Sequence, residues 1–215
     1  MQPTALVLDF DGTLAASDVG DDLCEAFAPP EWLEIDQQWL RREISLPEAQ
    51  RRMWALVRAT PRQVDEFLAT RAALRPGLDA LLDEAERLGM PIVLASGGFD
   101  FYIERMLGEA RLGRLAAAYY NRGELRAGGI EVSFPWDRFD CGTCAVCKGL
   151  VCRAHRPPGG RVVFVGDGSS DACALAEADR SFVVRGSLLE RLAAERGCSV
   201  TPFDDLAEVA ADLGQ

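Results

Sequence analysis

Three short apolar runs, each followed at once by acidic or hydroxyl side chains, constrain the fold of this chain more than any other feature. The runs are residues 6–8, 91–95 and 161–165, and each is short enough to be one buried strand. Stretches with helical periodicity separate them, so strands alternate with helices. This alternation predicts the α/β class, with a Rossmann-like parallel sheet and helices on both of its faces.

The segment between the first two strands holds four predicted helices and no predicted strand. Pro29 and Pro30 end the first of these helices, and a capping box with proline at the first helical position, residues 60–63, begins the fourth. We therefore predict an inserted, all-helical cap over residues 16–74. The predicted core domain comprises residues 1–15 and 75–215.

The first strand delivers two carboxylates to its carboxyl end. Asp9 and Asp11 point the same way while the chain stays extended, and Gly12 permits the turn that follows. Asp9 could bind a hard cation and attack an electrophile, while Asp11 could offer Mg²⁺ its backbone carbonyl and keep its side chain for proton transfer. A strand that ends in an Asx-type turn would use the same residues, so this stretch alone leaves both interpretations open.

The second strand ends in groups that suit a phosphate. The Ser96 hydroxyl and the amides of Gly97 and Gly98 lie at the predicted start of a helix and can donate hydrogen bonds to an anion. The same triplet also occurs in ordinary strand-to-helix turns. Because parallel strands end at one edge of a sheet, we expect these donors near Asp9 and Asp11.

The third strand and a single lysine complete the predicted constellation. Of the 23 basic residues, 22 are arginine and Lys148 is the one lysine, which predicts a position that a planar guanidinium cannot fill. Asp167 would complete a Mg²⁺ site, and Asp171 would orient it or anchor Lys148. Asp167 and Asp171 could instead cap a helix that begins near Ser169. Four carboxylates packed together need cations, so Mg²⁺ and Lys148 are electrostatic requirements of the site.

The charge of the chain limits its partners. The formal net charge of −11 argues against a nucleic-acid groove or an anionic membrane surface, since either needs a basic field. No apolar stretch reaches the roughly 18 residues of a membrane span, and no basic-then-apolar leader precedes the first strand. We expect a soluble, cytoplasmic protein whose partner is a small molecule. Nothing in the sequence indicates whether it is a monomer or a homodimer.

Taken in order, these segments resemble the four motifs of the phosphatases of the haloacid dehalogenase superfamily. They are residues 9–13, Ser96, Lys148 and residues 166–171, and the resemblance covers nearly the whole chain, including a helical cap of the C1 type as in the phosphoserine-phosphatase-like branch. It implies Asp9 as nucleophile and Asp11 as general acid and base. It further implies Mg²⁺ at Asp9, Asp11 and Asp167, with the phosphate on Ser96, Gly97 and Lys148.

This resemblance implies a Mg²⁺-dependent phosphomonoester hydrolase that acts on a small phosphorylated metabolite through an aspartyl-phosphate. A phosphotransferase on the same fold, which passes the phosphoryl group to an acceptor other than water, stays open as an alternative. A purely binding module is disfavoured because each chemical position is filled.

Two branches of the superfamily offer different substrates. Phosphoserine phosphatases place a glutamate nine residues after the nucleophile and an arginine in the cap, where this chain has Asp18 and Met53. Methionine-salvage phosphatases are instead resembled by residues 27–32, 44–45, 53 and 135–136 together with the cysteine run that follows. A cap rich in Met and Trp would suit the thioether tail of their substrate, although the same side chains could simply form the core of the cap. We therefore expect the substrate 2-hydroxy-3-keto-5-methylthiopentenyl-1-phosphate, with phosphoserine as the alternative.

A cysteine-rich run precedes and follows Lys148. Its spacing, C-x₂-C-x₂-C-x₄-C-x₂-H, is compatible with a structural Zn²⁺ site. The pattern lacks two well-separated pairs, so reduced structural thiols and redox control stay open. The candidate zinc ligands are Cys141, Cys144, Cys147, Cys152 and His155.

Overall fold

A computed structural model describes residues 2–126 and 128–214. Within them seven strands form one sheet in the order β4-β3-β2-β1-β5-β6-β7. Neighbouring strands are parallel except β3 and β4, which are antiparallel. The strands are β1 (Thr4–Leu8), β2 (Ile92–Phe99), β3 (Ala117–Arg126), β4 (Gly129–Ser133), β5 (Arg161–Gly166), β6 (Arg180–Val184) and β7 (Thr201–Phe203).

Helices occupy both faces of this sheet, as predicted. Within β1, Leu6 and Leu8 belong to one apolar core and Val7 to the other, because successive side chains point to opposite faces. The helices are α1 (Val19–Phe27), α2 (Trp32–Leu40), α3 (Leu46–Trp54), α4 (Pro61–Thr70), α5 (Leu78–Arg87), α6 (Asp100–Leu112), α7 (Lys148–His155), α8 (Leu188–Glu195) and α9 (Leu206–Leu213).

Helices α1 to α4 lie between β1 and β2 in the chain and pack against the sheet domain. Ala15 and Leu74 form an isolated antiparallel bridge at the two ends of this segment. The Trp54 ring of α3 meets the rings of Phe99 and Phe101 edge-on, with centroids 5.3 and 5.4 Å apart. Edge-to-face contacts of this kind add about 1 kcal/mol each beyond the burial of apolar area.

Local sequence patterns predict a helix over residues 172–178 and a small hairpin over residues 122–134, and they predict no strand after residue 184. The run 172–178 does not form the predicted helix but short 3₁₀ turns, including Ala174–Ala176, because a segment this short gains too few hydrogen bonds to propagate an α-helix. Strand β7 was not anticipated, since it is three residues long and contains Pro202, which is tolerated at a sheet edge. The hairpin predicted over 122–134 is confirmed by the β3–β4 pairing, although residue 127 lies outside the described residues.

The sheet order creates a crevice beside β1. The chain proceeds from β1 to β2 and β3 on one side, and from β5 to β6 and β7 on the other. The carboxyl ends of β1 and β5 therefore flank a topological switch point, where open α/β sheets bind their ligands.

Among the helices of the described residues, none has the length and apolar character that crossing a membrane requires.

Candidate active site

The turn that follows β1 brings the first two acids into the crevice. The Asp9 amide donates to the Val165 carbonyl of β5 at 3.0 Å, and Asp9 is buried. Gly12 adopts a φ of +69°, and a Cβ at this position would lie 2.3 Å from Asp167 Oδ2. A side chain at position 12 would therefore strain the backbone and displace Asp167.

Lys148 is buried among polar groups that come from two other parts of the chain, the turn after β1 and the segment after β5. Its Nζ lies 3.2 Å from Asp9 Oδ1 and 3.0 Å from Asp171 Oδ1, and it donates to Ser170 Oγ at 2.8 Å. Burial alone would lower the pKa of this ammonium, but the charges of Asp171 and Asp9 outweigh burial and raise it. Lys148 is therefore a permanent cation at the carboxyl end of β1.

Three carboxylates form a group that suits a divalent cation. One oxygen each from Asp9, Asp167 and Asp171 lies within 4.8 Å of the others. Thr13 Oγ1 donates to Asp167 Oδ1 at 2.9 Å, and burial raises the pKa of Asp167 to about 7, with the charge of Asp171 adding to the effect. Clustered carboxylate oxygens are what Mg²⁺ prefers, so the residues fit the ion. The Asp11 carboxylate is not a member of this group.

Asp171 is held by backbone amides of its own loop. Its Oδ2 accepts hydrogen bonds from the amides of Asp167 and Gly168 at 2.9 and 3.0 Å. A Cβ on Gly166 would lie 2.5 Å from the same oxygen. Asp171 is fully buried and its Oδ1 faces Lys148, so it can orient both Asp167 and the ammonium.

The Asp11 carboxylate points toward the helical side of the site. Its Oδ2 accepts a hydrogen bond from Tyr102 Oη at 2.8 Å, and its Oδ1 accepts one from the Val19 amide at 3.2 Å. Burial raises the pKa of Asp11 well above its usual range, and the charge of Asp18 raises it further. A raised pKa makes this carboxyl group hold its proton more tightly than an ordinary aspartic acid does, which suits a general acid.

Residues 96–98 form an irregular loop within the carboxyl-terminal part of β2, where the register with β3 shifts between Ala95 and Phe99, and this loop lies beside Asp11. The Ser96 hydroxyl is 3.5 Å from Asp11 Oδ2 and accepts a hydrogen bond from the Gly98 amide at 2.9 Å. The Gly97 carbonyl accepts hydrogen bonds from Gln50 Nε2 of α3 and Asn121 Nδ2 of β3, both at 2.9 Å. The loop is therefore fixed from both the helical segment and the sheet.

One cavity of about 330 Å³ is lined by most of the predicted catalytic, metal and phosphate residues, namely Asp9, Asp11, Ser96, Gly97, Lys148 and Asp167. Lys148 is the only basic residue among the described residues that line it. The acidic lining residues are Asp9, Asp11, Asp18, Asp21, Asp36 and Asp167, and the large apolar ones are Trp39, Leu40, Leu46, Met53, Trp54 and Leu188. The electrostatics of the cavity therefore favour a ligand with one anionic group placed at Lys148 and no second anion.

The two specificity candidates both line this cavity. Asp18 precedes α1, and its Oδ1 accepts a hydrogen bond from the Asp21 amide at 2.9 Å. Met53 is 6% exposed. The arginines beside it point elsewhere, since Arg51 stacks on Phe134 and Arg52 donates to Gln38.

The predicted set of zinc ligands is wrong in two members. His155 Nε2 lies 2.8 Å from the Tyr119 hydroxyl, and Cys152 is fully buried in the apolar core beneath α7. The structure instead groups Cys141, Cys144 and Cys147 with Cys173. Helix α7 carries residues 152 and 155 away from the loop that precedes it. Cys173 lies 26 residues after Cys147, and no metal-binding spacing connects the two.

Other contributors to the site were also missed. Tyr102, Gln50 and Asn121 each contact a predicted site residue or its loop. All three are positioned by tertiary contacts between distant segments, so no local pattern could single them out. The triplet Ser96-Gly97-Gly98 offered one indirect signal, because a Cβ on Gly98 would lie 2.1 Å from Tyr102 Oη.

Known proteins share both the sequence and the fold. A family model described as haloacid dehalogenase-like hydrolase matches residues 6–176. The 2-hydroxy-3-keto-5-methylthiopentenyl-1-phosphate phosphatase of Brevibacillus brevis is 28% identical over 213 residues, which cover 98% of this chain and 95% of that protein. The protein of the same name from Exiguobacterium sibiricum is 29% identical over 212 residues, which cover 97% and 95%.

Solved structures show the same architecture. A phospho-aspartyl intermediate analogue of phosphoserine phosphatase superposes with a TM-score of 0.71 at 18% identity and covers 99% of both chains. A substrate-bound phosphoserine phosphatase complex gives a TM-score of 0.68, also at 18% identity and 99% coverage of both chains. At this level of identity the likeness establishes a common fold.

Proposed function

We propose that this phosphatase, which belongs to the haloacid dehalogenase-like hydrolase family, hydrolyses small phosphate monoesters. We propose that it uses Mg²⁺ and that the reaction passes through an aspartyl-phosphate on Asp9. One observation carries the proposal. The carboxylate of Asp9, the ammonium of Lys148 and the pair Asp167 and Asp171 converge at the carboxyl ends of β1 and β5, although they are far apart in sequence.

We assign the cation to the carboxylates of Asp9 and Asp167, with the backbone carbonyl of Asp11 as a third protein ligand and Asp171 orienting Asp167. When bound, Mg²⁺ neutralises charge on the phosphoryl oxygens. Lys148 contributes a second positive charge and favours the ionised form of Asp9. Burial and the neighbouring acid Asp171 nevertheless hold the pKa of Asp9 well above its usual range, so the charge of the bound cation is also needed to ionise the nucleophile. Ser96 and the Gly97 amide would donate to the remaining phosphoryl oxygens.

In the first step an Asp9 oxygen attacks phosphorus, and the bond from phosphorus to the ester oxygen breaks. Asp11 gives its proton to the departing alkoxide, for which its raised pKa is suited. In the second step water attacks the aspartyl-phosphate, Asp11 takes a proton from that water, and the bond between phosphorus and Asp9 breaks. The products are the free alcohol and inorganic phosphate, and both Asp9 and Asp11 return to their starting states.

We further propose that residues 16–74 form a cap domain over a core of residues 1–15 and 75–215. Trp39, Leu46 and Met53 of this segment line the same cavity as Asp9. The hydrogen bond from Gln50 to the Gly97 carbonyl joins α3 to the proposed phosphate-binding loop. A cap in this position would exclude water from the aspartyl-phosphate and contact the leaving group.

For the substrate we propose 2-hydroxy-3-keto-5-methylthiopentenyl-1-phosphate, as in the names of the relatives from Brevibacillus brevis and Exiguobacterium sibiricum. Apart from its phosphate this molecule is uncharged, which matches a cavity whose described lining has one cation, Lys148. Its thioether tail would contact apolar side chains such as Met53 and Trp54. Phosphoserine carries a carboxylate for which this cavity has no second basic partner.

A substrate panel tests the proposal. Phosphate release should be measured with the enol phosphate, phosphoserine, phosphoethanolamine and a phosphorylated sugar, each with Mg²⁺ and with a chelator, beside the Asp9→Asn variant. We expect Mg²⁺-dependent turnover that is fastest with the enol phosphate and absent in Asp9→Asn. Faster turnover of phosphoserine would overturn the substrate assignment, and turnover in chelator or in Asp9→Asn would overturn the mechanism.

A further inference from the structure

Four cysteine side chains outside the catalytic cluster meet at one point. The Sγ atoms of Cys141, Cys144, Cys147 and Cys173 all lie within 4.8 Å of one another, and each is a free thiol. Tetrahedral Zn²⁺ holds thiolates at about 2.3 Å, so four sulfur ligands of one ion lie about 3.8 Å apart. The cluster is therefore close to the size of a four-thiolate site.

The chain presents these thiols from two segments. Three of them come from the loop before α7, where Gly142 turns with a φ of +84° and Cys147 immediately precedes the helix. The fourth, Cys173, comes from the segment after β5. Cys144 and Cys147 are buried, whereas Cys141 and Cys173 are exposed, so an ion would be enclosed on one side and reachable from the other.

We propose that Cys141, Cys144, Cys147 and Cys173 bind one structural Zn²⁺. Soft thiolates at tetrahedral spacing select Zn²⁺ over the hard cation assigned to the carboxylates. A closed set of four protein ligands leaves no open coordination position, so this ion has no catalytic role of its own. The site is separate from the phosphatase centre, and its existence does not depend on the proposed substrate.

The proposed zinc site lies next to two residues of the catalytic cluster, Lys148 and Asp171. Cys147 is adjacent to Lys148 in sequence, and Cys173 lies two residues beyond Asp171. The two segments already touch, because a Cβ on Gly149 would lie 2.6 Å from the Cys173 carbonyl oxygen. A metal bound to both would fix the start of α7 against the loop after β5, and it would thereby hold Lys148 beside Asp171.

Elemental analysis of the full-length protein tests the proposal directly. The untagged protein should be purified in reducing buffer, incubated with Zn²⁺, freed of loosely bound ions by gel filtration and analysed by mass spectrometry for metals. We expect about one zinc per chain in the wild type and less than about a fifth of that in Cys144→Ala. The matched control is Cys152→Ala, which removes a buried thiol that does not belong to the cluster. This variant should retain about one zinc per chain.

Cobalt provides a second readout that does not depend on the variants folding. Wild-type protein stripped of zinc and loaded with Co²⁺ should show the intense visible and near-ultraviolet bands of a tetrahedral thiolate site, and Zn²⁺ should abolish them. Zinc below about a fifth of an equivalent with no cobalt bands would overturn the proposal. So would an iron–sulfur chromophore in the purified protein, or a disulfide between two of the four cysteines under reducing conditions. Each of these results is independent of phosphatase activity.

Discussion

The ammonium of Lys148 lies 3.2 Å from Oδ1 of Asp9, and the two side chains are only 2% and 6% exposed. This ion pair joins the end of β1 to the start of α7, two segments that are 139 residues apart in the numbering of the chain. Removing one member of a buried pair leaves the other charge without a partner. The pair should therefore matter for both stability and chemistry.

Replacing Lys148 by Met should lower the free energy of unfolding by about 3 kcal/mol, because Asp9 and Asp171 lose their shared counter-ion. We also expect kcat/KM to fall by about 100-fold or more, since a charge directed at the phosphoryl oxygens is lost. Urea unfolding and initial-rate kinetics measure the two effects. The control is Arg153→Met, which removes a surface ion pair with Glu177 and should change the free energy of unfolding much less than Lys148→Met does. A Lys148→Met enzyme with nearly normal kcat/KM would contradict the assigned role.

Tyr102→Phe should shift the pH dependence of the enzyme. The hydroxyl of Tyr102 donates to Asp11 and lowers the pKa of Asp11, so its removal should raise that pKa further. The alkaline limb of the kcat/KM profile should then move to higher pH, because Asp11 must be protonated to act as the acid.

Tyr120→Phe is the matched control for this shift. It removes a similar hydroxyl, which donates to Glu104 at the surface, and should leave the profile in place. An unmoved profile in Tyr102→Phe, or an equal shift in both variants, would mean that Tyr102 does not tune Asp11.

Met53→Arg should change substrate preference. A guanidinium in this part of the cavity would supply the second cation that a phosphoserine carboxylate requires, and we expect the ratio of kcat/KM for phosphoserine to that for the enol phosphate to rise at least about tenfold. Met53→Leu, a volume-conserving change, should leave the ratio within about twofold. An unchanged ratio in a Met53→Arg protein with a normal circular dichroism spectrum would remove Met53 from the specificity determinants.

The carboxylate cluster should make the metal-free protein less stable as pH rises. Burial raises the pKa of Asp167 from 3.8 to about 7, so the folded state binds a proton more tightly than the unfolded state does. The contribution of this bound proton to the free energy of unfolding is fully present below about pH 4 and is lost as pH rises toward about 7. Mg²⁺ should restore it, since the ion binds the deprotonated form.

Thermal unfolding from pH 5 to pH 8, in chelator and in Mg²⁺, measures this effect. The difference in Tm between the wild type and Asp167→Asn isolates the contribution of Asp167 from that of His155, whose pKa burial lowers. In chelator the Tm of the wild type should fall relative to that of Asp167→Asn as pH rises. Mg²⁺ should raise the Tm of the wild type most at pH 8. A Tm difference between the wild type and Asp167→Asn that does not change with pH, together with no effect of Mg²⁺ on Tm, would argue against a cation at this cluster.

The sequence alone was sufficient for the groups that follow strands. Asp9, Ser96 and Asp167 could be placed together because parallel strands end at one edge of a sheet. Tyr102 and Cys173 could not, since each reaches its partners through packing between segments that no local periodicity connects. The short strand β7 and the 3₁₀ turns near Ala174 were missed for a related reason, because tertiary contacts outweigh propensity in segments of only a few residues.

Identification of the phosphorylated residue tests the central claim most directly. The enzyme should be mixed with Mg²⁺ and a substrate bearing labelled phosphate, quenched in acid within one turnover and reduced with borohydride, which converts an aspartyl-phosphate into homoserine at the labelled position. Peptide mass spectrometry should find this change at residue 9 of the wild type and nowhere in Asp9→Asn. Modification of a different residue, or phosphate release by Asp9→Asn at the wild-type rate, would contradict the assignment of Asp9 as the nucleophile.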